Sequence, residues 1–339
     1  MTLIAHLKPK FWDHIDPGTD SRKYLFNFRR IWKLTILITL GTALVPLIVM
    51  AIIDYRISRD AMLQEIMLRT SRLTSNTRRN ITAFLAERKA ALDFINHNDP
   101  FESLVIKGRL KRILGSLQKS FGGFVDVGII DHQGIQLAYA GPFDLVGKDY
   151  SNADWFQHVN VKGIYISDVF SGFRNVPHMV IAVKHMLPNN RFYILRATLD
   201  AASFNRLFTD LEMGNESDAF IINRAGILQT NSRSHGIVLN KCNLTVPNFS
   251  KHSEVEMITG SNRTQIVRGY AYIPETPFIL MIVKSKSELL ALWKNSRMEV
   301  VAFLILSSAA ILIVVFGGIT FLVNQIYMAD QRRLAFMHH

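Results

Sequence analysis

Two stretches without a single charged residue constrain this chain more than anything else in it. Leu34 to Ile53 reads LTILITLGTALVPLIVMAII, and Val300 to Val323 reads VVAFLILSSAAILIVVFGGITFLV. A helix needs about 20 apolar residues to cross the ~30 Å hydrocarbon layer of a bilayer, so each run is long enough to span. Two buried helices of a soluble protein are the alternative, but soluble core helices rarely stay uncharged for so long. A cleaved signal peptide fits the first run poorly: 33 residues precede it and no small-residue cleavage pattern follows. Pro46 inside the first run is tolerable in a membrane helix, where neighbours satisfy the released carbonyl.

Charge orients the spans. Lys8, Lys10, Arg22, Lys23, Arg29, Arg30 and Lys33 precede the first run, and Arg332 and Arg333 follow the second. Basic residues beside a span favour the cytoplasmic side. The sequence therefore predicts a multi-pass membrane protein with both termini cytoplasmic and the centre outside the cytoplasm. The expected segments are 1–33 (cytoplasmic), 34–53 (first span), 54–298 (outer), 299–323 (second span) and 324–339 (the start of a cytoplasmic signalling helix). The net charge of +12 does not argue for nucleic acid, because the outer segment mixes both signs without a dense basic run. The lone Cys242 excludes an internal disulfide, so the outer segment must bury its own core.

Within the outer segment, residues 54–96 contain neither Gly nor Pro and place Ile57, Ala61, Leu68, Ile81, Leu85 and Leu92 near helical spacings. They predict a long helix of roughly 60 Å, ended by Asn98-Asp99-Pro100. A shorter helix over 107–119 follows. Then DVGIIDHQGI begins at Asp126, and DAFIINRAGI repeats its pattern at Asp218. Acid, Ile-Ile, Gly and Ile coincide without a gap, which reads as one strand-turn-strand phrase written twice. Strands are expected at GIYISDVFSG, HMVIAVKHML and RFYILRATL in the first copy, and at SEVEMITG, RTQIVRGYAYI and FILMIVKS in the second. Helices DAASFNRLFTDL and KSELLALW close the two copies. The fold class is α+β: two transmembrane helices flanking a long N-terminal helix and two tandem antiparallel-sheet modules, distal 97–212 and proximal 213–298.

The order span, long helix, two sheets, span, together with FLAERKAALDFI, DVGIIDHQG, ADWFQ and ISDVFSG, resembles the double Cache (PAS-like) sensor domain of bacterial transmembrane receptors over about residues 50–295. The tail NQIYMADQRRLAFMHH resembles the helix entering the dimerisation region of sensor histidine kinases, so the chain looks most like the sensory half of such a kinase. The resemblance implies a small ligand in the distal module, a carboxylate or an amine. It also implies a bacterial inner (cytoplasmic) membrane with the centre periplasmic or extracellular, a homodimer within membrane lipid, and a cytoplasmic response regulator reached only through a kinase region that these residues lack. In the amino-acid-binding members an arginine two residues before a Trp-Tyr pair grips the carboxylate. Here the pair is Trp155-Phe156 and Ala153 stands at the arginine's place. The later aromatic falls at Phe170 and the ammonium-binding acid at Asp200.

Strand alternation puts His178, Val180, Ala182 and Lys184 on one face. The candidate ligand-binding residues are thus Trp155, Phe156 and Phe170 as apolar wall, with Asp168, Asp200, Arg174 and Lys184 as polar groups. Competing readings are core packing for Trp155 and Phe156, a solvent-seeking Lys184, and a helix-capping Asp200. No catalytic residue, metal site or cofactor is expected: GxxxxGK[ST], HExxH, GxSxG and CxxC are all absent. The alternative function is a membrane-anchored domain that binds a protein or envelope partner instead of a small molecule.

Overall fold

The computed structural model describes residues 9, 11, 27–209, 217–259, 265–286 and 298–336. They fall into two units, one covering Gln64–Leu290 and the other Met1–Leu63 with Ala291–His339.

In the larger unit, helix α1 (Phe28–Asn98) supplies the N-terminal element. It ends two residues before Pro100, which has no N–H to continue the ladder and disfavours helical backbone in the residue before it. Ile81, Leu85 and Leu92 lie on one helical face and are fully buried. A short turn of helix α2 (Phe101–Leu104) leads to α3 (Arg109–Phe121), slightly later than the sequence suggests. Its Leu110, Ile113, Leu114 and Leu117 form an i, i+3, i+4, i+7 apolar stripe, and all four are buried.

The first sheet contains β1 (Phe124–Asp131), β2 (Gln136–Ala140), β3 (Ile164–Ile166), β4 (His178–Met186) and β5 (Phe192–Asp200), in the antiparallel order β2-β1-β5-β4-β3. Helix α4 (Asp154–Lys162) precedes β3, and α5 (Ala201–Thr209) follows β5. The second sheet contains β6 (Asp218–Asn223), β7 (Glu254–Thr259), β8 (Gln265–Tyr272) and β9 (Phe278–Ser285), in the antiparallel order β6-β9-β8-β7. The closing helix expected at KSELLALW lies largely outside the described residues.

The repeated phrase folds the same way twice. In the first copy Asp131 Oδ1 accepts from the N–H groups of Gln133 and Ile135, both at 2.9 Å. In the second, Asn223 Oδ1 accepts from Ala225 at 3.0 Å and Ile227 at 2.9 Å. Each is an Asx-type turn, and each needs a left-handed residue to close. Gly134 (φ +96°) and Gly226 (φ +77°) supply it.

Alternation divides each sheet into two faces. Met179, Ile181 and Val183 of β4 join Val127, Ile129, Leu195 and Ala197 in a core shared with α1 and α3. The same core continues through Phe204 of α5 into Ile221, Phe278, Leu280 and Ile282 of the second sheet. One apolar layer thus runs behind both sheets. The opposite faces form separate clusters: Ile130, Val180, Ala182 and Ile194 with α4 in the first, and Phe220, Ile222, Met281 and Val283 in the second.

The smaller unit pairs the N-terminal part of α1 with α6 (Met298–Phe336). Both helices are long and apolar enough to cross a membrane. Phe28 meets Tyr327 edge-on at 5.5 Å, and Trp32 Nε1 donates to Thr320 Oγ1 at 3.0 Å, an antiparallel arrangement. Their outer faces carry large exposed apolar side chains, such as Leu37 (71%), Phe303 (69%) and Ile313 (73%). A surface of that kind is stable in lipid and unfavourable in water.

Candidate functional site

The α4 face of the first sheet carries two buried arginines on one buried aspartate, where the corresponding face of the second sheet carries, among the described residues, a single buried arginine, Arg268, paired with the partly exposed Glu256. Arg196 stands in mid-strand on β5, opposite Gly128 of β1 on one side and Ala182 of β4 on the other. Two small neighbours leave room for a long side chain to lie on the sheet. Its Nη2 is 3.2 Å from Asp126 Oδ1, and Arg174 Nη2 is 2.7 Å from Asp126 Oδ2. Tyr139 donates its hydroxyl to the same carboxylate at 3.1 Å. All three charged side chains are at most 3% exposed. Burial, then Arg196, lowers the Arg174 pKa from the ordinary guanidinium value. Burial and the adjacent Asp126 push the Tyr139 hydroxyl up to about 12, so it stays a neutral donor. Burial likewise pushes His178 down to about 4, against the opposing hydrogen bond to the Val176 carbonyl.

Above this floor lies a cavity of about 470 Å³ lined by Tyr150, Trp155, Tyr165, Phe170 and Phe173, with Ala153, Asp154, Ser167, Asp168 and Gly172 completing the wall. Tyr150 separates the two levels. Its ring is 5.0 Å from the Arg196 guanidinium, 5.5 Å from Trp155 and 5.2 Å from Phe173. Phe170 leans on His178 at 4.5 Å. The charged lining residues are the two carboxylic acids Asp154 and Asp168. Burial raises the Asp168 pKa, partly offset by a hydrogen bond with Asn223. Among the described residues, Asp168 Oδ1 and Trp155 Nε1 are buried without a hydrogen-bond partner. Asn223 is the turn residue of the second copy, where the first copy has Asp131. An aspartate there would repel Asp168, whereas the amide donates to it.

The second sheet also holds the residue after Asp168. Val169 N donates to Gln229 Oε1 at 2.6 Å, and Gln229 is fully buried. Ser167 Oγ takes the N–H of Val180 at 2.9 Å. These substitutions explain why the strand expected over GIYISDVFSG shortens to Ile164–Ile166, with only an isolated bridge at Phe170 and His178.

Of the residues expected from sequence, Trp155, Asp168 and Phe170 come together in the cavity wall. Phe156 belongs to the buried side of α4 that packs on the sheet and is absent from that wall. Arg174 is directed at Asp126. Lys184 Nζ donates to the Asn160 carbonyl at 3.1 Å and sits 4.0 Å from the centre of the Phe192 ring. Asp200 Oδ1 accepts from Ala202 N at 3.0 Å, at the start of α5. Sequence reasoning missed Tyr150, Tyr165, Phe173 and Asp154 in the wall, and Asp126 and Arg196 below it. Arg196 had a signal: a lone cation inside the apolar strand FYILRATL. Among the described residues, no group of three or more metal-ligating side chains is present.

Residues 58–293 match the family model described as a Cache domain. No curated protein sequence matches the chain. Among solved structures, the extracellular domain of the putative histidine kinase rpHK1S-Z16 is 13% identical, with a TM-score of 0.55, covering 67% of this chain and 98% of that one. The ligand-binding domain of the Pseudomonas fluorescens chemoreceptor CtaA in complex with L-isoleucine is 12% identical, with a TM-score of 0.53, covering 69% and 98%. That of the Pseudomonas aeruginosa PAO1 amino acid chemoreceptor PctB in complex with L-Arg is 13% identical, with a TM-score of 0.53, covering 73% and 99%. At these identities the likeness is one of fold. The family model covers well over half of the sequence, and the chain belongs to the Cache-domain family.

Proposed function

We propose that the protein is a transmembrane receptor that senses a small amine outside the cytoplasm and passes the signal inward. The observation that carries the reading is the cavity. Five aromatic rings and two carboxyl groups line it, and none of its lining residues is Lys or Arg. Aromatic faces attract cations, and a buried unpartnered carboxyl oxygen supplies the counter-charge. Ala153 at the clamp position adds only a methyl group, which favours an amine head over a carboxylate. Trp155, Phe170 and Asp168 are proposed as contacts, with Phe156 backing the wall and Arg174 holding its floor. Lys184 and Asp200 support the module from outside the cavity. CtaA and PctB are described in complex with amino acids, which supports small-ligand sensing in this fold.

The two sheets are read as tandem PAS-like modules, the first distal and ligand-binding, the second proximal. The antiparallel pairing of α1 with α6 supports a topology with both ends of the helix pair on the cytoplasmic side of a bacterial membrane. Signalling requires that the ligand bind two arrangements with different affinity. A histidine kinase is the proposed output, acting in a dimer, on the likeness to the extracellular domains of putative histidine kinases.

The test is calorimetric titration of the whole chain in non-ionic detergent with a panel of primary and quaternary amines and of carboxylates. At least one amine binds saturably, and Asp168→Asn weakens it at least about tenfold, or ~1.4 kcal/mol. Saturable carboxylate binding without any amine binding would overturn the proposal.

A further inference from the structure

A second cleft lies on the other side of Tyr165, between the two sheets and α1, with a volume of about 670 Å³. Three separate elements bring cations to it: Lys89 from α1, Lys162 from the end of α4, and Arg224 from the turn after β6. The one carboxylate among its lining residues is Glu275, and Lys89 Nζ holds it at 2.6 Å. Lys162 lies 5.0 Å from the centre of the Tyr165 ring, whose face is also stacked by His158 at 4.7 Å. Among the described residues neither Lys162 nor Arg224 makes an ion pair. Like charges gathered from three elements repel one another, and a shared counter-ion removes that cost.

The backbone adds donors. The Gly163 carbonyl accepts from Lys184 N at 2.8 Å, and Ser167 N donates to the Val180 carbonyl at 2.9 Å. In an antiparallel ladder the main-chain groups of a residue point to one side, alternating along the strand. The odd-numbered residues here face β4, so the N–H groups of Ile164 and Ile166 face the opposite edge. β3 is the last strand of its sheet, and Ile164 and Ile166 both line the cleft. Edge N–H groups with no partner strand, beside cations from neighbouring elements, make an anion-binding arrangement.

We infer that this inter-sheet cleft is a second ligand site, which takes a small free dianion such as a phosphate or a dicarboxylate. Lys162 and Arg224 supply the charge, and the edge of β3 supplies N–H donors. The site is distinct from the aromatic cavity, and its existence does not depend on what that cavity binds.

The whole chain in non-ionic detergent at low ionic strength is titrated with inorganic phosphate and, separately, with malonate. At least one probe binds saturably, and the double substitution Lys162→Gln with Arg224→Gln weakens it at least about tenfold. Both side chains are exposed, so the thermal midpoint of the unliganded double variant is expected to be unchanged or raised. Glu275→Gln gives an independent reading: it removes the one competing carboxylate and tightens binding about two- to threefold, the scale of a single exposed ion pair. Failure of both probes to bind saturably overturns the inference. So does wild-type affinity in the folded double variant, or weaker binding in Glu275→Gln.

Discussion

The two sheets begin with the same phrase and put its acid to different uses. Asp126 and Asp218 are both buried. Asp126 sits between two buried guanidiniums and a tyrosine hydroxyl. Asp218 accepts from the Ser232 hydroxyl at 2.5 Å and from Ser234 N at 3.2 Å, closing a loop of its own sheet. Where β5 has Arg196 opposite Gly128, β9 has Met281 opposite Phe220, and the second face fills with apolar side chains around the buried Arg268, paired with Glu256. The comparison teaches that one strand-turn unit builds either a mostly apolar layer with an ion pair or a floor of two arginines on one aspartate beneath a cavity. The difference lies in a few mid-strand residues.

The largest effect that would break the comparison comes from neutralising the two acids. Asp126→Asn leaves two buried guanidiniums sharing no carboxylate and is expected to cost about 3–5 kcal/mol. Asp218→Asn removes hydrogen bonds from a hydroxyl and an amide and is expected to cost about 1–2 kcal/mol. Denaturant or thermal unfolding of both variants measures the gap. Equal losses would mean that the arginine pair does not distinguish the sheets.

One pH effect belongs to the first sheet. His178 faces Arg174, Arg196 and Asp126, and its folded pKa is about 4 against an ordinary 6.5. The neutral ring is the form that fits, so this contribution is fully present above pH 6.5. It is lost as pH falls from 6.5 to about 4, and the whole loss is at most about 3 kcal/mol. His178→Gln should flatten the stability profile within that window, and an unchanged acid limb would contradict the assignment.

The smallest effect separates the two turns. A methyl added at Gly134 would meet the backbone nitrogen of Ser151 at 2.6 Å, whereas at Gly226 the nearest atom is a methyl of Val246 at 3.1 Å. Both substitutions carry the left-handed penalty of about 1–2 kcal/mol. Gly134→Ala therefore destabilises more than Gly226→Ala, by about 1 kcal/mol or more. Thermal midpoints of the pair read this directly.

Much of the architecture was legible because it rests on local periodicity. The uncharged runs, the Gly- and Pro-free helix and the alternation in HMVIAVKH each report a repeat that a single window displays. The repeated phrase marked a strand-turn element that folds the same way twice. The site was less legible because its contacts are long-range. Nothing near Arg174 indicates that Asp126, far away in sequence, will claim it. Nothing near Asp168 shows that Asn223 and Gln229 of the other sheet will hold its neighbourhood. Asp200 could be read either way, as cap or ligand, because DAASF fits a helix start equally well. Tyr150 and Tyr165 were invisible as wall residues, since an aromatic in a loop signals burial without saying against what.

The most direct test of the account is hydrogen exchange on the whole chain, with and without a saturating concentration of an amine that binds. The account predicts the greatest slowing across 150–173 and a smaller change across 218–245, where Asn223 and Gln229 touch the cavity wall. Protection confined to the second sheet, or spread equally over both, would contradict the assignment of the ligand to the aromatic cavity.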